Sequence, residues 1–216
     1  TSTPYDLERQ WTGRRARDYA LVDLEDGSSR KILTKVVGPV DLSPKGGYVY
    51  GYNSMDSTWF AYNVKESVYK DLTGGRVFYD ELHDSPSPPS PYGAAGWTEK
   101  DGDLILYDRY DLWKFNPDTG ASERLTRGRE NRTVYRYVAL DEEKKYLDPR
   151  EPWLLTTFDE GDKSSGYASY DPRRNTVQPL LEGPFRYGRP RKAELADQLL
   201  FTRESFQEFP DLYASN

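Results

Sequence analysis

The sequence predicts an all-β fold built from one repeated unit of antiparallel strands. Three observations lead to this prediction. The 216 residues include 18 Tyr, 8 Phe and 5 Trp, although only 36% of the chain is hydrophobic. Disordered chains are poor in aromatic residues, and each large ring buries roughly 150–250 Å² in a core. Short alternating runs separated by polar turns indicate strands, and the same pattern recurs along the chain, as it does in repeat architectures.

Four segments carry the recurring pattern. Each has a short alternating run, a polar turn and a second strand marked by Leu33, Leu72, Leu125 or Leu180. The turn residues supply tight-turn geometry or bond to their own backbone, so each segment predicts a β-hairpin. The hairpins are ALVDLEDGSSRKILT (20–34), WFAYNVKESVYKDLT (59–73), LWKFNPDTGASERLT (112–126) and YASYDPRRNTVQPLL (167–181).

Further strands are predicted between and after these hairpins. Residues 36–54 and 94–111 each contain two strands around a turn, at 43–47 and 99–102 respectively. Residues 134–160 contain two strands with a longer connection, and residues 189–216 reach a third strand. The unit is therefore four strands in about 40–55 residues, which is typical of β-propeller blades.

The predicted fold class is thus an all-β, partial β-propeller with about four blades of four-stranded antiparallel sheets. Residues 1–216 are interpreted as one partial propeller domain, a fragment of a larger protein. They comprise the end of one blade, three whole blades and about three-quarters of another, in a fold whose rings have four to eight blades. Unequal repeat lengths favour an open arc of a larger ring. The alternative is a ring closed by pairing of the first and last pieces.

Two insertions interrupt the repeat. Leu82–Gly93 (LHDSPSPPSPYG) contains four Pro residues, which predicts a semi-rigid extended loop and excludes a central strand or a helix. Asp141–Pro152 (DEEKKYLDPREP) is charged and can form one helical turn that ends before Pro149. Both are interpreted as solvated connections rather than binding loops.

The composition excludes several kinds of chemistry. With no Cys and one His, the chain has no disulfides, thiolate nucleophile, Cys-ligated zinc, Fe–S cluster or multi-His metal site. We therefore expect no cofactor and no metal. No stretch approaches the ~20 apolar residues that span a bilayer, and the first residues lack a signal-peptide pattern. A net charge of −6 argues against a nucleic-acid partner.

No residue pattern predicts a catalytic site. The Gly-x-Ser-x-Gly elbow is absent, Ser164 and Ser165 have no nearby base, and His83 is interpreted as a solvated side chain. Several acid pairs resemble the carboxylates of glycoside hydrolases but are interpreted as surface charge. They are Asp80–Glu81, Asp108 with Asp111, Glu204 with Glu208, Glu142–Glu143 and Asp159–Glu160.

Basic side chains also cluster, but acidic residues lie among them. We interpret these clusters as solvated strand edges or ion pairs rather than phosphate sites. They are Arg14, Arg15 and Arg17; Arg127, Arg129 and Arg132; and Arg186, Arg189, Arg191 and Lys192. Asn131–Thr133 matches the short glycosylation pattern, which arises easily by chance. No catalytic, cofactor-binding or metal-binding residue is assigned from the sequence.

Three blocks resemble a known family. GWTEKDGDLILYDRYDLWKFNPDTG (96–120), RYVALD (136–141) and LFTRESFQEFPDLYASN (200–216) are similar to the propeller of prolyl oligopeptidase family serine peptidases. That family places a propeller ahead of a C-terminal α/β-hydrolase domain with a Ser, Asp and His triad. Nothing in residues 1–216 matches the hydrolase domain, so the resemblance implies a non-catalytic domain and carries over no triad residue.

The resemblance implies a role in gating and selecting peptide substrates for that hydrolase domain. The chain itself is expected to be inactive, and its partners would be the hydrolase domain and a peptide. In dipeptidyl peptidase relatives a Glu pair binds the substrate amino terminus. Glu142–Glu143 and Asp80–Glu81 lack the surrounding motif, so neither pair is assigned that role. The resemblance favours a periplasmic or secreted location, and open blade edges predict some self-association.

Two alternatives remain open at this stage. The first is a stand-alone β-propeller that binds a protein or a small ligand. The second is a carbohydrate-active propeller enzyme that uses central carboxylates such as Asp108 and Glu204.

Overall fold

The computed structural model describes residues 5–141 and 143–215, in which strands predominate. Its strands form one two-stranded sheet and four four-stranded sheets, all antiparallel. The chain divides into two compact units, and each is described by itself. The first comprises residues 1–91 with the turn 117–121, and the second comprises residues 92–116 and 122–216.

The first unit contains a short helix and two sheets. Strands β1 and β2 form a two-stranded sheet, and β3 to β6 follow one another in a four-stranded meander. The elements are α1 (Asp6–Thr12), β1 (Arg17–Val22), β2 (Ser29–Val36), β3 (Val40–Leu42), β4 (Tyr48–Asn53), β5 (Thr58–Asn63) and β6 (Val68–Asp71).

The two sheets of the first unit share one hydrophobic core. Leu33 and Val36 of β2 pack with Val49, Phe60 and Tyr62 of β4 and β5. Alternate residues of a strand point to the same face, so the two-residue period of β4 and β5 aligns these side chains. Full burial of a ring such as that of Phe60 contributes about 1.5–3 kcal/mol.

The second unit contains three sheets. Its elements are β7 (Ala94–Trp97), a 3₁₀ turn (Glu99–Asp101), β8 (Leu104–Tyr107), β9 (Leu112–Phe115), β10 (Ser122–Arg124), α2 (Gly128–Asn131), β11 (Thr133–Tyr137), β12 (Trp153–Asp159), β13 (Ser165–Asp171), β14 (Thr176–Gly183), β15 (Arg186–Tyr187), β16 (Arg191–Lys192), β17 (Leu199–Glu204) and β18 (Asp211–Ala214). Strands β7 to β10 and β11 to β14 form two four-stranded meanders.

These two meanders pack around a second core. Ile105 and Leu112 from one sheet contact the cluster that contains Trp153, Leu155 and Tyr170 from the other. Strand β8 is buried at all four positions, as expected for a strand covered on both faces.

The third sheet of this unit has only three strand positions. Strands β15 and β16 both pair with β17, one after the other along its length, and β18 pairs with its opposite side. An aromatic contact joins this sheet to the preceding one, since the rings of Tyr167 and Phe201 lie 5.4 Å apart in an edge-on arrangement.

The four predicted hairpins are confirmed. They correspond to β1–β2, β5–β6, β9–β10 and β13–β14. Of the four marker residues, Leu33, Leu72 and Leu125 are buried, whereas Leu180 is 56% exposed. A register shift in β14 explains the difference, because Tyr167 pairs with Leu181, Ala168 pairs with Pro179, and Leu180 is left without a partner opposite it.

A threonine after the buried leucine closes two of the hairpins. The Oγ1 atom of Thr73 accepts the backbone N–H of Trp59 at 2.9 Å, and that of Thr126 accepts the N–H of Leu112 at 3.1 Å. Each threonine hydroxyl therefore accepts a backbone N–H near the start of the hairpin, and the leucine before that threonine lies at the end of the same hairpin. The fourth hairpin has Leu181 at the corresponding position, which cannot make this contact.

The Asp141–Pro152 insertion does not form the expected helical turn in its described residues. Asp141 Oδ1 accepts the backbone N–H groups of Glu143 and Lys144. Leu147 then forms a bridge with Thr98 and donates its N–H to the carbonyl of Trp97 at 2.8 Å. These bonds take donors that a helix would use, so no helix forms among the described residues of the insertion.

The proline-rich insertion forms neither helix nor strand in the structure, as predicted, but it is not extended throughout. The chain bends at Ser85–Ser87 and returns, so that Tyr79 and Pro91 form an antiparallel bridge. Asp80 donates its backbone N–H to the carbonyl of Ser90 at 2.8 Å, which closes the loop at its base.

The threonine closure gives a direct test. Replacing Thr126 with Val keeps the shape but leaves the N–H of Leu112 unsatisfied, which should lower the free energy of unfolding by about 1–3 kcal/mol. Thr176→Val, at an exposed position of β14, is the control and should change it by less than about 0.5 kcal/mol. Urea unfolding followed by tryptophan fluorescence measures both. Equal stabilities of the two variants would show that the closure contributes nothing.

Candidate functional site

The acid pair Asp108 and Asp111 lies in the turn between β8 and β9. Both side chains are buried, with Asp108 5% and Asp111 0% exposed, so the interpretation of this pair as surface charge is wrong. Asp111 Oδ1 accepts bonds from the hydroxyl of Thr126 at 2.7 Å and the N–H of Gly128 at 2.5 Å. Its other oxygen accepts the Nε–H of Arg124 at 3.0 Å.

Asp108 has a similar set of partners. Its Oδ1 accepts the backbone N–H groups of Tyr110 and Asp111, and its Oδ2 accepts the indole N–H of Trp113 at 3.1 Å. Arg129 lies 3.4 Å from the same oxygen. Carboxylates that accept this many bonds are held in place by them, so we assign the pair a structural role rather than acid–base chemistry.

A second ion pair lies beside this turn. Arg109 donates to both oxygens of Glu160, at 3.2 and 2.7 Å, and the hydroxyl of Tyr110 donates to Glu160 at 2.9 Å. Burial acts to raise the pKa of Glu160, but these bonds from Arg109 and Tyr110 outweigh it and lower the pKa. The Asp159–Glu160 pair is thus partly buried in structural contacts, and Asp159 accepts the backbone N–H groups of Gly161 and Asp162.

Arg136 on β11 was not singled out by the sequence. Its guanidinium lies 4.7 Å from the ring centre of Tyr107 and 5.8 Å from that of Tyr92. It donates to the backbone carbonyls of Asp108 and Arg109 at 3.2 and 3.0 Å. Burial lowers its pKa from the ordinary value. These contacts hold strand β11 against the turn that contains the acid pair.

The other acid pairs take separate partners. Glu204 pairs with Arg186 at 2.6 Å, and Glu208 pairs with Arg203 at 3.2 Å. Asp80 accepts the N–H of Leu82 at 3.0 Å. All three acids therefore stabilise local structure through these contacts. Glu142 lies outside the described residues, and its neighbour Glu143 is exposed.

His83 and the serine residues are held by local contacts. The Nε2 atom of His83 lies 2.5 Å from the carbonyl oxygen of Ser87 and 3.0 Å from the hydroxyl of Ser85, within the proline-rich loop. Because a carbonyl oxygen only accepts, Nε2 carries the proton in this arrangement. Ser165 donates to the carbonyl of Phe185 at 2.6 Å, and Ser164 is buried near Glu182. None of these contacts forms a nucleophile–base pair.

The basic clusters contain ion pairs and carbonyl contacts, as interpreted from the sequence. Arg129 pairs with Asp108, Arg186 with Glu204, and Lys192 with Asp197 at 3.1 Å. Arg189 donates to the carbonyl of Ala139 at 3.1 Å.

A groove of about 840 Å³ in the second unit is the strongest candidate for a binding site. The Asp141–Pro152 insertion and the segment before β17 form its walls. Tyr137 and Trp153 lie at its base, where their rings are 6.2 Å apart. Acidic residues outnumber basic ones in the lining. The acids are Asp141, Glu143, Asp148, Glu151 and Glu194, and the bases are Lys144 and Lys192.

Two of these acids are already paired. Asp148 is bound by Arg150 at 2.7 Å, and this bond holds the pKa of Asp148 well below its usual range. Glu151 is bound by Lys144 at 2.8 Å. Asp141, Glu143 and Glu194 give the exposed walls of the groove their negative charge.

A second groove, of about 700 Å³, has a different character. It lies at the ends of β12, β15 and β17 and is lined by Phe158, Phe185, Tyr187 and Phe206. Lys163 and Arg186 add positive charge at its margin. Aromatic rings with a few polar groups are typical of surfaces that bind an apolar ligand group.

Within residues 5–141 and 143–215, no group of three or more His, Asp or Glu residues is arranged to hold a metal ion. Among the helices of that same part of the chain, none has the length and apolar character to cross a membrane.

The role of Asp111 can be tested by its stability effect. Asp111→Asn removes the charge that Arg124 and the backbone donors require, so the free energy of unfolding should fall by about 3 kcal/mol or more. The control is Glu204→Gln, which removes the exposed pair with Arg186 and should cost about 1 kcal/mol or less. Thermal and urea unfolding measure both variants. A stable Asp111→Asn protein would contradict the structural role.

Comparison with known proteins supports a propeller fold. No protein-family model matches the chain, and no curated protein matches it by sequence. Oligogalacturonate lyase from Vibrio parahaemolyticus is similar in structure, with a TM-score of 0.54 and 11% identity over 88% of this chain and 53% of that chain. TolB from Acinetobacter baumannii aligns with a TM-score of 0.46 and 10% identity over 97% of this chain and 53% of that one.

Both structures are β-propeller proteins, and the chain spans about half the length of each. Identities this low concern the fold alone. Together with the four-stranded antiparallel sheets, the likeness to the lyase confirms the predicted fold class. The chain is a partial β-propeller of about four blades.

Proposed function

We propose that this chain is the non-catalytic propeller domain of a prolyl oligopeptidase-like serine peptidase. In this role it gates and selects peptides for an α/β-hydrolase domain on its C-terminal side. The proposal combines the confirmed fold with the resemblance of residues 96–120, 136–141 and 200–216 to that family.

The number of strands in the first and last sheets is the observation that most supports the proposal that this chain is part of a larger propeller. The first sheet has two strands, β1 and β2, whereas the last has three positions, formed by β15 with β16, β17 and β18. Two and three make five, one more than a four-stranded blade holds. The first and last pieces therefore belong more naturally to two different blades than to one shared blade.

The residues of the resembling blocks also suit a non-catalytic domain. Asp108 and Asp111 lie in the block most similar to the family, and their carboxylates are occupied by backbone and arginine donors. The alternative of a carbohydrate-active enzyme needs Asp108 and Glu204 as acid and base. Each has its own structural partners, so that reading has little support.

The acidic groove is the surface proposed to contact the peptide. Glu143 and Glu194 are exposed on its walls, and Tyr137 and Trp153 lie at its base. A peptide ammonium group placed between carboxylates forms charge-assisted hydrogen bonds, which are about twice as strong as neutral ones. Aromatic rings at the base can accommodate the first apolar side chain.

The first test concerns catalysis. The purified 216-residue chain should not hydrolyse peptide substrates, because the proposal places the nucleophile in another domain. The coding region that follows residue 216 should contain a Gly-x-Ser-x-Gly elbow, then Asp and His, within about 250 residues. Hydrolysis by the chain alone, or a stop codon at that point, would contradict the proposal.

The second test concerns the groove. A short peptide with a free amino terminus should bind more tightly than its acetylated form, and Glu143→Gln with Glu194→Gln should weaken binding about tenfold. Glu25→Gln, at an exposed turn of the first unit, is the control and should bind like the parent chain. Calorimetric titration measures both peptides against the parent chain, the double variant and the control. Equal binding of the free and acetylated peptides would exclude this groove as the amino-terminus site.

A stand-alone propeller binding module is the second candidate. The aromatic groove near Phe158, Phe185 and Phe206 favours it, since such a surface can hold a ligand with no catalytic partner. The coding sequence after residue 216 distinguishes the two candidates, because a stop codon supports the module.

A further inference from the structure

A basic cavity adjoins the acidic groove of the second unit. It has a volume of about 520 Å³ and lies between two short segments, residues 139–140 and residues 189–192. Three of its lining side chains are cationic, those of Arg189, Arg191 and Lys192, and none of the described residues that line it is acidic. In a chain with a net charge of −6, such a group of cations marks a surface that attracts anionic groups.

Contacts with the backbone hold the two segments of this cavity together. Arg189 donates from Nη2 to the carbonyl of Ala139 at 3.1 Å, which joins one segment to the other. Pro190, which separates the two arginines, is buried, and its ring fixes the backbone φ at that position. The cavity is therefore built on a backbone that has little freedom to rearrange when a ligand binds.

Arg191 is the cation best placed to bind a ligand. Its side chain is exposed and forms no ion pair among the described residues. Lys192 pairs with Asp197 at 3.1 Å, but the side chain of Asp197 is 99% exposed, and an exposed pair of this kind is weak. A guanidinium group matches the two oxygens of a carboxylate with two parallel N–H donors. The expected ligand group in the cavity is therefore a carboxylate.

The cavity and the acidic groove share part of their walls. Leu140 and Lys192 line both of them. The segment 191–194 contributes Arg191 to the cavity and Glu194 to the groove. Because three residues of chain span at most about 10–11 Å, these two opposite charges lie within reach of one small molecule.

We propose that the groove and the cavity together bind a short peptide whose two termini are both free. Its ammonium group is bound by Glu143 and Glu194, and its carboxylate by Arg191 and Lys192. The inference rests on the proposed function, from which it takes the groove as the amino-terminus site, and it adds a carboxyl-terminus site and a size limit. An extended peptide of two or three residues matches the separation of Arg191 and Glu194, since it spans at most about 3.3–3.6 Å per residue.

The distribution of charge favours a peptide over a simple anion. An anion such as phosphate would satisfy Arg191, but Glu194 in the same segment would repel it. A peptide with free termini instead places its own positive charge beside the acids. The rings of Tyr137 and Trp153 at the base of the groove add an apolar surface for its first side chain.

Calorimetric titration with the tripeptide Leu-Ala-Ala tests the carboxylate site. Replacing the carboxylate by an amide should weaken binding to the parent chain about tenfold, because Arg191 loses a charged acceptor. Arg191→Gln should weaken binding of the free acid by a similar factor, and this variant should bind the acid and the amide equally. Arg191→Lys keeps the charge but loses the paired donors, so its loss should be intermediate.

The matched control is Arg174→Gln, which removes a cation that is 82% exposed in the turn before β14. It should bind both peptides like the parent chain. Circular dichroism of each variant checks that it is folded. Equal binding of the acid and the amide to the parent chain would overturn the carboxylate site, as would inorganic phosphate that binds as tightly as the tripeptide.

The two ends of the peptide can be tested separately. If acetylation of the amino terminus weakens binding but amidation does not, the groove keeps its proposed role and the carboxylate site is overturned. If amidation alone weakens binding, the carboxylate site is supported and the amino-terminus role of the groove is excluded.

An octapeptide that begins with the same three residues tests the size limit. When extended it spans about 26–29 Å, so its carboxylate lies beyond the cavity and its amidation should change binding by less than about twofold. An equal effect of amidation on the tripeptide and the octapeptide would overturn the size limit.

Discussion

The buried carboxylate of Asp111 is the interaction on which the best-packed part of this propeller depends. One side chain bonds to Arg124 at the end of β10, to Thr126 after it, and to Gly128 at the start of α2. Because α2 leads directly into β11, this carboxylate ties the end of one sheet to the beginning of the next. Gly128 is required at that point, since a Cβ atom there would lie 1.9 Å from the carbonyl oxygen of Thr133. The acid therefore holds together a junction of strands, and removing its charge would leave several buried donors without an acceptor.

The cores are built from few apolar residues. Only 36% of the chain is hydrophobic, and the large rings of Tyr107, Trp153 and Tyr170 help to fill the core between the two meanders of the second unit. Their polar atoms bond at the edges of the core. Tyr107 accepts the N–H of Tyr137, and Trp153 donates to the carbonyl of Asp148. Burial raises the pKa of Tyr107 to about 12, so its ring remains neutral at physiological pH. The last sheet lacks such cover on one side. Its exposed Leu200 and Leu212 mark where the packing of the described chain stops.

Several features of the structure depend on contacts that local sequence patterns do not indicate. Leu180 matches the repeat by position, but a register shift in β14 turns it to solvent. The charged insertion has the composition of a helical turn, but the bond from Leu147 to Trp97 takes one of the donors that a helix would use. Asp108 and Asp111 are two of 36 acids, and nothing in their local sequence distinguishes buried carboxylates from surface ones. Asp111 is bound by Arg124, Thr126 and Gly128, which the β9–β10 hairpin brings to it. Asp108 is bound instead by the backbone N–H groups of Tyr110 and Asp111 and the indole of Trp113. The two grooves likewise consist of segments distant in sequence, so no local pattern could indicate them.

Local sequence patterns are sufficient to predict the repeat, the strand pairs within each hairpin and the fold class. These depend on alternation and turn residues, which act between near neighbours in the chain. Contacts in the folded chain determine which acids are buried and which walls form a groove. Those properties depend on contacts between residues far apart in the chain, and on the direction of backbone groups at each strand. Leu212 and Ala214 show the difference most clearly. Their sequence is that of an ordinary strand. Only the register with β17 directs their N–H and C=O groups away from that strand.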